Sequence, residues 1–475
     1  MDFFLQAFEF LASIKYQTLG FFLSLSLLII LHEFGHFAFS KIFNTRVEKF
    51  YLFFNAWFSI LKLKKTKDGW KIKFFEKNKE ETEPFTTTEY GMGWIPLGGF
   101  VKISGMVDES LDMEQMQKEP ENWEFRSKTT WQRLLIMLGG VLVNFVLALF
   151  IYSMILFTWG QSYVPVENGT DGAVWDTLGL EIGLQHGDIV QYVDTYKIEQ
   201  FRDIIEHLLV DNVKTITVKR NNKIEKIPVP ENFPEMMLKR GVRTTPFGGF
   251  RYPYIADSII ENSAADIAGI RRNDKLLAIN GIETPSFYEF AYEISKHRNK
   301  EIEVKLQRNF NEIFLKAEIG EEGKLGVYAK PPSHFYEVKT TEYSFIESFP
   351  AGISYGVDVL VGYVKQMKLV FSKEGAKQLG GFGLIGGLFP KTWDWAVFWQ
   401  MTAFLSIILA FMNVLPIPAL DGGHVTLLLY EIVTRRKPSD KFLEISQIIG
   451  MILLFTLLIY ANLNDILRLI GVEMF

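Results

Sequence analysis

His32, Glu33 and His36, in the run His32-Glu33-Phe34-Gly35-His36, are the residues of this chain whose types and spacing point most directly to chemistry. On an α-helix, positions four apart share a face, so both imidazoles can reach one metal ion while Glu33 stands beside it. Neutral imidazole suits Zn²⁺, which in catalytic sites takes three protein ligands and keeps one position open for water. The pKa of that water falls to about 7, and Glu33 is placed to take its proton as a general base. The chain contains no cysteine, which excludes thiolate ligation, thiol catalysis and disulfides. A third zinc ligand must therefore be His, Asp or Glu.

The element that carries the motif is itself informative. From Leu19 to Leu31 the chain has no charge, and the apolar character continues through Phe39. About 20 such residues cross the hydrocarbon core as a helix, and ionisable groups at that depth are costly and usually functional. Three further apolar stretches, Leu134 to Trp159, Trp395 to Leu415 and Ile445 to Ala461, predict about four spans in all. The stretch from Phe345 to Phe371 is interrupted by Glu347, Asp358, Lys365 and Lys368 at helical spacing, which predicts an interfacial amphipathic helix. At 475 residues and 48% hydrophobic content the chain has room for these spans and one or two folded domains. Its net charge of -5 makes no case for nucleic acid. Lacking a basic leader, the first span reads as a retained helix.

Basic residues set the expected topology. Lysines at 62, 64, 65, 67, 71 and 73 follow the first span, and Arg435, Arg436, Lys437 and Lys441 follow the third. The positive-inside rule assigns both loops to the cytoplasm and the long segment from Gln161 to Thr392, with both termini, to the other side. In the first loop, Ile60 to Phe75 alternates apolar and lysine residues about Asp68-Gly69, a hairpin signal. Tyr51 to Phe58 is too aromatic for a solvated loop and is expected to dip towards the bilayer, where a sheet edge could pair with an unwound substrate. The external segment holds two related patterns. One carries Gly183-Leu184 and Gly187-Asp188, the other Gly269-Ile270 and Asn273-Asp274, each followed by strand, helix and strand. They resemble PDZ domains, with Asn273 where that family usually has Gly; Asn tolerates the left-handed turn. Phe247-Gly248-Gly249-Phe250 could form a peptide-binding loop.

The outstanding candidate for the third ligand is Asp421, in Asn413-Val414-Leu415-Pro416-Ile417-Pro418-Ala419-Leu420-Asp421-Gly422-Gly423-His424. Spans one and three run in the same direction, so the inner end of span three lies at the depth of His32 and His36. Pro416 and Pro418 break the helix there, and the diglycine permits a tight turn. His424 reads as a residue that supports the ligands or packs beside them, since a catalytic zinc needs an open position.

On HEFGH at 32–36, NVLPIPALDGGH at 413–424, WIPLGGFVKISG at 94–105 and GGVLVNF at 139–145, the chain resembles the site-2 protease family of intramembrane zinc metalloproteases, in particular the bacterial regulator of sigma-E protease group with two PDZ domains. It departs at Gly140-Val141, where that group has Gly-Pro, and at GGFGLIGG in 380–387. The resemblance implies His32, His36 and Asp421 as zinc ligands, Glu33 as catalytic base, and Asn413 as holder of the substrate backbone or developing oxyanion. It also implies a multi-pass inner-membrane endopeptidase, with its site near the cytoplasmic side, that cuts pre-trimmed single-span substrates. These would be anti-sigma factors and remnant signal peptides, with the PDZ pair outside as a gate. The expected fold is a polytopic α-helical membrane protein. Its regions are a first transmembrane helix in 1–45, a cytoplasmic or re-entrant β region with an amphipathic segment in 46–130, and a second span in 131–160. PDZ-like domains follow in 165–235 and 240–332, then an interfacial helix in 340–375 and further spans in 393–425 and 443–472. The residues alone leave open a metal-binding transporter or sensor, or a membrane scaffold built around PDZ modules.

Overall fold

A computed structural model describes residues 2–66, 69–77, 87–96, 98–106, 119–240 and 247–470. They divide into two compact units, one of residues 1–159, 343–363 and 379–475, the other of 160–342 and 364–378.

The first unit is helical, with one sheet. Its helices are α1 (Asp2–Ile42), α2 (Thr130–Trp159), the first part of α3 (Phe345–Val370), α4 (Phe382–Gly387), α5 (Trp395–Met412), α6 (Asp421–Thr434) and α7 (Asp440–Leu469). Among the described residues, four helical stretches are long and apolar enough to cross a membrane: Ile14–Ile42, Thr130–Trp159, Trp395–Met412 and Lys441–Leu469. These are the four spans expected from hydropathy. α2 is central and packs against α1, α5 and α6. Its approach to α1 rests on small residues, as membrane helix crossings often do: a Cβ on Gly139 would lie 2.6 Å from the Gly35 carbonyl oxygen. Ser406 on α5 donates to the Asn144 carbonyl at 2.7 Å, and Arg133 pairs with Glu431 of α6 at 2.6 Å. These bonds fix α5 and α6 in register with α2.

The chain beyond the third span differs from expectation. α5 ends at Met412, an irregular turn carries residues 413–420, and α6 begins at Asp421, where a loop to the basic cluster was expected. Pro416 and Pro418 cannot donate to a continuing helix, and a carboxylate in a first helical turn is favoured by the helix dipole. The diglycine serves close approach: a Cβ on Gly423 would meet the Ile417 carbonyl oxygen at 2.7 Å. The stretch 380–387 forms the short helix α4, whose first turn is capped from α7. Asp465 Oδ2 accepts from the Gly381 and Leu384 amides at 2.9 and 3.0 Å. α3 is helical over most of the stretch 340–375, and its Gly352 and Gly356 lie against Ser153, Leu149 and Tyr152 of α2, with the Tyr355 and Tyr152 rings 5.0 Å apart.

The sheet has the order β3-β2-β4-β1-β5, from β1 (Val47–Leu52), β2 (Phe58–Thr66), β3 (Gly69–Lys77), β4 (Glu89–Met92) and β5 (Phe100–Ile103). β1 and β4 are parallel and the other pairs antiparallel. The hairpin is present with Thr66 opposite Gly69, so Gly69 belongs to the strand. A turn centred on Asp68-Gly69 would put it one place later; Asp68 lies outside the described residues, as do Leu97 and residues 78–86 and 107–118. Tyr51 is fully buried and donates to Glu89 at 2.6 Å, which satisfies a carboxylate inside the sheet layer.

The second unit contains the same arrangement twice. Strands Lys223–Pro228, Thr215–Arg220, Ile189–Val193 and Tyr196–Lys197 form one four-stranded sheet; Asn311–Ile319, Lys300–Arg308, Lys275–Ile279 and Ile282–Glu283 form the other in matching order. Each copy adds a two-stranded pair, and each is locked by the same ion pair. Arg220 holds the fully buried Asp188 and the Gly183 carbonyl; Arg308 holds Asp274, 1% exposed, and the Gly269 carbonyl. Gly187 has φ +95° and Asn273 φ +70°, so the asparagine occupies the left-handed position that glycine fills in the first copy.

Candidate active site

α1 carries His32 and His36 one turn apart, with ring centroids 4.9 Å from each other. The turn after α5 brings Asp421, at the start of α6, against both. Asp421 Oδ2 lies 3.1 Å from His32 Nε2 and 3.3 Å from His36 Nε2, and the two Nε2 atoms are 3.3 Å apart. Ligands about 2.0–2.1 Å from a tetrahedral zinc are roughly 3.3–3.4 Å from one another, so the triangle has the dimensions of three corners of such a site. Asp421 Oδ2 is buried and makes no hydrogen bond of good geometry despite its two close neighbours. Atoms that converge on a shared cation rather than on each other have that arrangement, and the donor set of two imidazoles and a carboxylate suits zinc.

The surroundings keep the triangle clear. A Cβ on Gly140 of α2 would lie 2.5 Å from His32 Cε1 and 2.6 Å from His36 Nε2, so any other residue there displaces the imidazoles. His36 Nδ1 is 2.9 Å from the Ile136 carbonyl oxygen, which accepts its proton and leaves Nε2 bare for a metal. On α7, Gln447 accepts from the Ala419 amide at 3.2 Å, and Ala419 has φ +77°. That left-handed alanine lies two residues before Asp421 and is held in place from a different helix.

Glu33 and Asn413 line the same cavity of about 790 Å³ as the His-His-Asp group. Asn413 Nδ2 is 3.5 Å from His32 Nε2. Gly98, Gly99 and β5 form another wall, and a Cβ on Gly99 would lie 3.3 Å from Glu33 Cγ. The outer edge of β5 has no strand partner among the described residues. Phe54 and Asn55, from the aromatic stretch expected to dip towards the bilayer, are also on the cavity wall, as is His424. Sequence reasoning left Gly140, Gln447 and Asn144 without a role. The first and third lay within quoted motifs; Gln447 carried no signal within its apolar helix.

Helices long and apolar enough to span a membrane, with three donors suited to one metal ion on a cavity wall, fit the class of polytopic membrane metalloproteins. The sequence model of Peptidase family M50 matches residues 80–457, and the chain belongs to that family. It is 28% identical to a Vibrio cholerae protein described as "Putative zinc metalloprotease", over 97% of this chain and 100% of that one. It is 26% identical to a Campylobacter jejuni protein described in the same terms, over 98% and 94%. With the "Regulator of sigma-E protease RseP" of Salmonella typhimurium it shares 26% identity, over 96% and 100%. The chain is a multi-pass membrane zinc metalloprotease of the site-2 type.

Proposed function

We propose that His32 Nε2, His36 Nε2 and Asp421 Oδ2 hold the zinc, that Glu33 is the general base, and that Asn413 positions the substrate. The observation that carries this is the triangle of 3.1–3.3 Å donor separations on the wall of a cavity that Glu33 also lines. When bound, zinc supplies a Lewis acid for the scissile carbonyl and lowers the pKa of the attacking water. Glu33 takes the proton of that water and delivers it to the leaving amine. The Asn413 amide donates to the substrate backbone or to the charge that develops on the carbonyl oxygen. A transmembrane helix must unwind before its peptide bonds are accessible, and the edge of β5, without a strand partner among the described residues, offers main-chain hydrogen bonds to an extended segment.

The substrates in this reading are single-span proteins already trimmed outside the membrane, of the anti-sigma-factor kind, and remnant signal peptides. The relatives named as regulators of sigma-E protease support it. The enzyme resides in the inner membrane, with the site towards the cytoplasm and the two repeated modules, read as PDZ domains, outside as a gate against intact ectodomains. Support for the sidedness comes from the basic residues that follow spans one and three.

The test is cleavage of a trimmed single-span substrate by purified wild-type protein and by Glu33→Gln, with zinc quantified in both. Product from the wild type alone, with zinc in both, is expected. Cleavage by Glu33→Gln at the wild-type rate would overturn the assignment of the base.

A further inference from the structure

Ile136, Gly140 and Asn144 are spaced four apart on α2 and form one stripe beneath the two imidazoles. Ile136 supplies the carbonyl that accepts from His36 Nδ1, and Gly140 supplies clearance. Asn144 is fully buried, and its side-chain amide lies 3.4 Å from His32 Nδ1. His32 turns Nε2 towards His36 and Asp421, so Nδ1 is the nitrogen left over.

An imidazole that ligates through Nε2 carries its proton on Nδ1, and that N–H needs an acceptor. The Asn144 amide has two orientations related by a half-turn. With Nδ2 towards the ring, two donors face each other and Oδ1 is left buried without a partner. With Oδ1 towards the ring, the amide oxygen accepts Nδ1–H and the conflict is gone. Ser406 holds the Asn144 backbone from α5 by a 2.7 Å bond, so the span that leads to Asn413 and Asp421 also fixes the residue behind His32.

We propose that Asn144 is a positioning residue for the metal centre: its Oδ1 accepts from His32 Nδ1, fixes the tautomer that leaves Nε2 free, and sets the ring plane. The inference rests on the reading of His32, His36 and Asp421 as the ligands. Its counterpart for His36 is the Ile136 carbonyl, so α2 orients both histidines of α1 through one helical stripe.

Full-length protein is prepared with Asn144→Leu, Asn144→Asp and Asp421→Ala. Zinc affinity is measured by competition with a chelator, and cobalt-loaded protein gives the visible absorption spectrum of the site. Thermal unfolding of metal-free protein monitors the fold. Asn144→Leu removes the acceptor and is expected to weaken zinc about 10–100-fold, the usual cost of losing an outer-shell partner of a ligating histidine. Asn144→Asp retains an acceptor of nearly the same shape and is expected to hold zinc within a few-fold of wild type, with the same cobalt spectrum. Loss of zinc in Asn144→Asp as large as in Asn144→Leu would overturn the proposal, because a carboxylate serves an N–H but opposes a bare nitrogen. The Asp variant decides the matter even where the Leu variant folds poorly. Zinc lost in Asp421→Ala but fully kept in Asn144→Leu would overturn this inference alone. Zinc kept in Asp421→Ala would overturn the ligand assignment and this inference with it.

Discussion

Replacing Gly140 by alanine adds one methyl group at the point where α2 passes beneath the metal triangle. That Cβ would stand 2.5 Å from His32 Cε1, 2.6 Å from His36 Nε2 and 2.7 Å from His32 Nε2. Ordinary van der Waals contact begins near 3.4 Å, so the rings must retreat by roughly 0.8 Å or the helices must part. These atoms are the ends of side chains, so the rings give way before the backbone does. Zinc–ligand distances tolerate only about 0.2 Å, so the displaced nitrogen ceases to be a ligand. Gly140→Ala is therefore expected to lower zinc affinity by more than the roughly 100-fold upper range of an outer-shell loss, and to lower cleavage in proportion. The strain on the fold is that of an overpacked site, about 1–3 kcal/mol, which leaves the protein folded. Gly139→Ala is the contrast, because its Cβ meets the Gly35 backbone at 2.6 Å and must push α1 from α2. The assay is chelator competition for zinc beside thermal unfolding of the metal-free protein for both variants. Wild-type zinc affinity in a folded Gly140→Ala protein would refute the reasoning.

Gln447→Leu removes the acceptor that holds Ala419 and leaves a half-buried amide without it, a loss of about 1 kcal/mol; cleavage should fall with zinc more weakly held, and an unchanged rate would count against a role for α7 in placing Asp421. In the second repeated module, Arg308→Met strands the buried Asp274 carboxylate and should destabilise that module by about 3–5 kcal/mol, read by hydrogen exchange, while the double change Arg308→Met with Asp274→Leu recovers most of the loss. Deleting residues 165–330 should let substrates with intact ectodomains be cut; continued rejection of a full-length substrate would argue against the gate. Partial burial of the Asp194 carboxyl acts upward on its pKa, but the Lys214 and Thr215 amides and the Thr215 hydroxyl outweigh this and hold it below its ordinary value of 3.8. The stability it lends is thus present above that value and lost as pH falls through the lower folded one, and the protection of the Lys214 amide, its exchange rate relative to an unstructured amide at the same pH, should fall in acid accordingly.

Much of this architecture was legible because each feature has a local sequence cause. Uncharged apolar runs gave the four spans, and the paired Gly-Asp and Asn-Asp turns gave the two modules, down to the left-handed Asn273. His32 and His36 share a helical face by spacing alone, whereas the nomination of Asp421 drew on span direction. The start of α6 was not legible: the Asp-Gly-Gly run reads as a turn, and only its packing against Ile417 makes it a helix entry. Nor was the role of Gln447, because nothing in α7 announces which of its buried amides, Gln447 or Asn464, will meet a left-handed alanine 28 positions before Gln447 in the chain.

The α2 stripe shows why the orienting groups escape such reading. Ile136 acts through its main-chain carbonyl, Gly140 by lacking a side chain and Asn144 through an amide, so residue type at the three positions shares no chemistry. Their common property is a spacing of four on a helix, fixed relative to a second helix whose own reactive residues are also four apart. Two antiparallel helices in close glycine-mediated contact repeat that period against each other, so a ligand pair at i and i+4 on one is met by supports one turn apart on the other. On the proposed ligation, the close contact at Gly35 and Gly139 takes part in the metal chemistry. Widening it would carry the Ile136 carbonyl and the Asn144 amide away from both imidazoles together, and no single outer partner could restore the orientation of the pair.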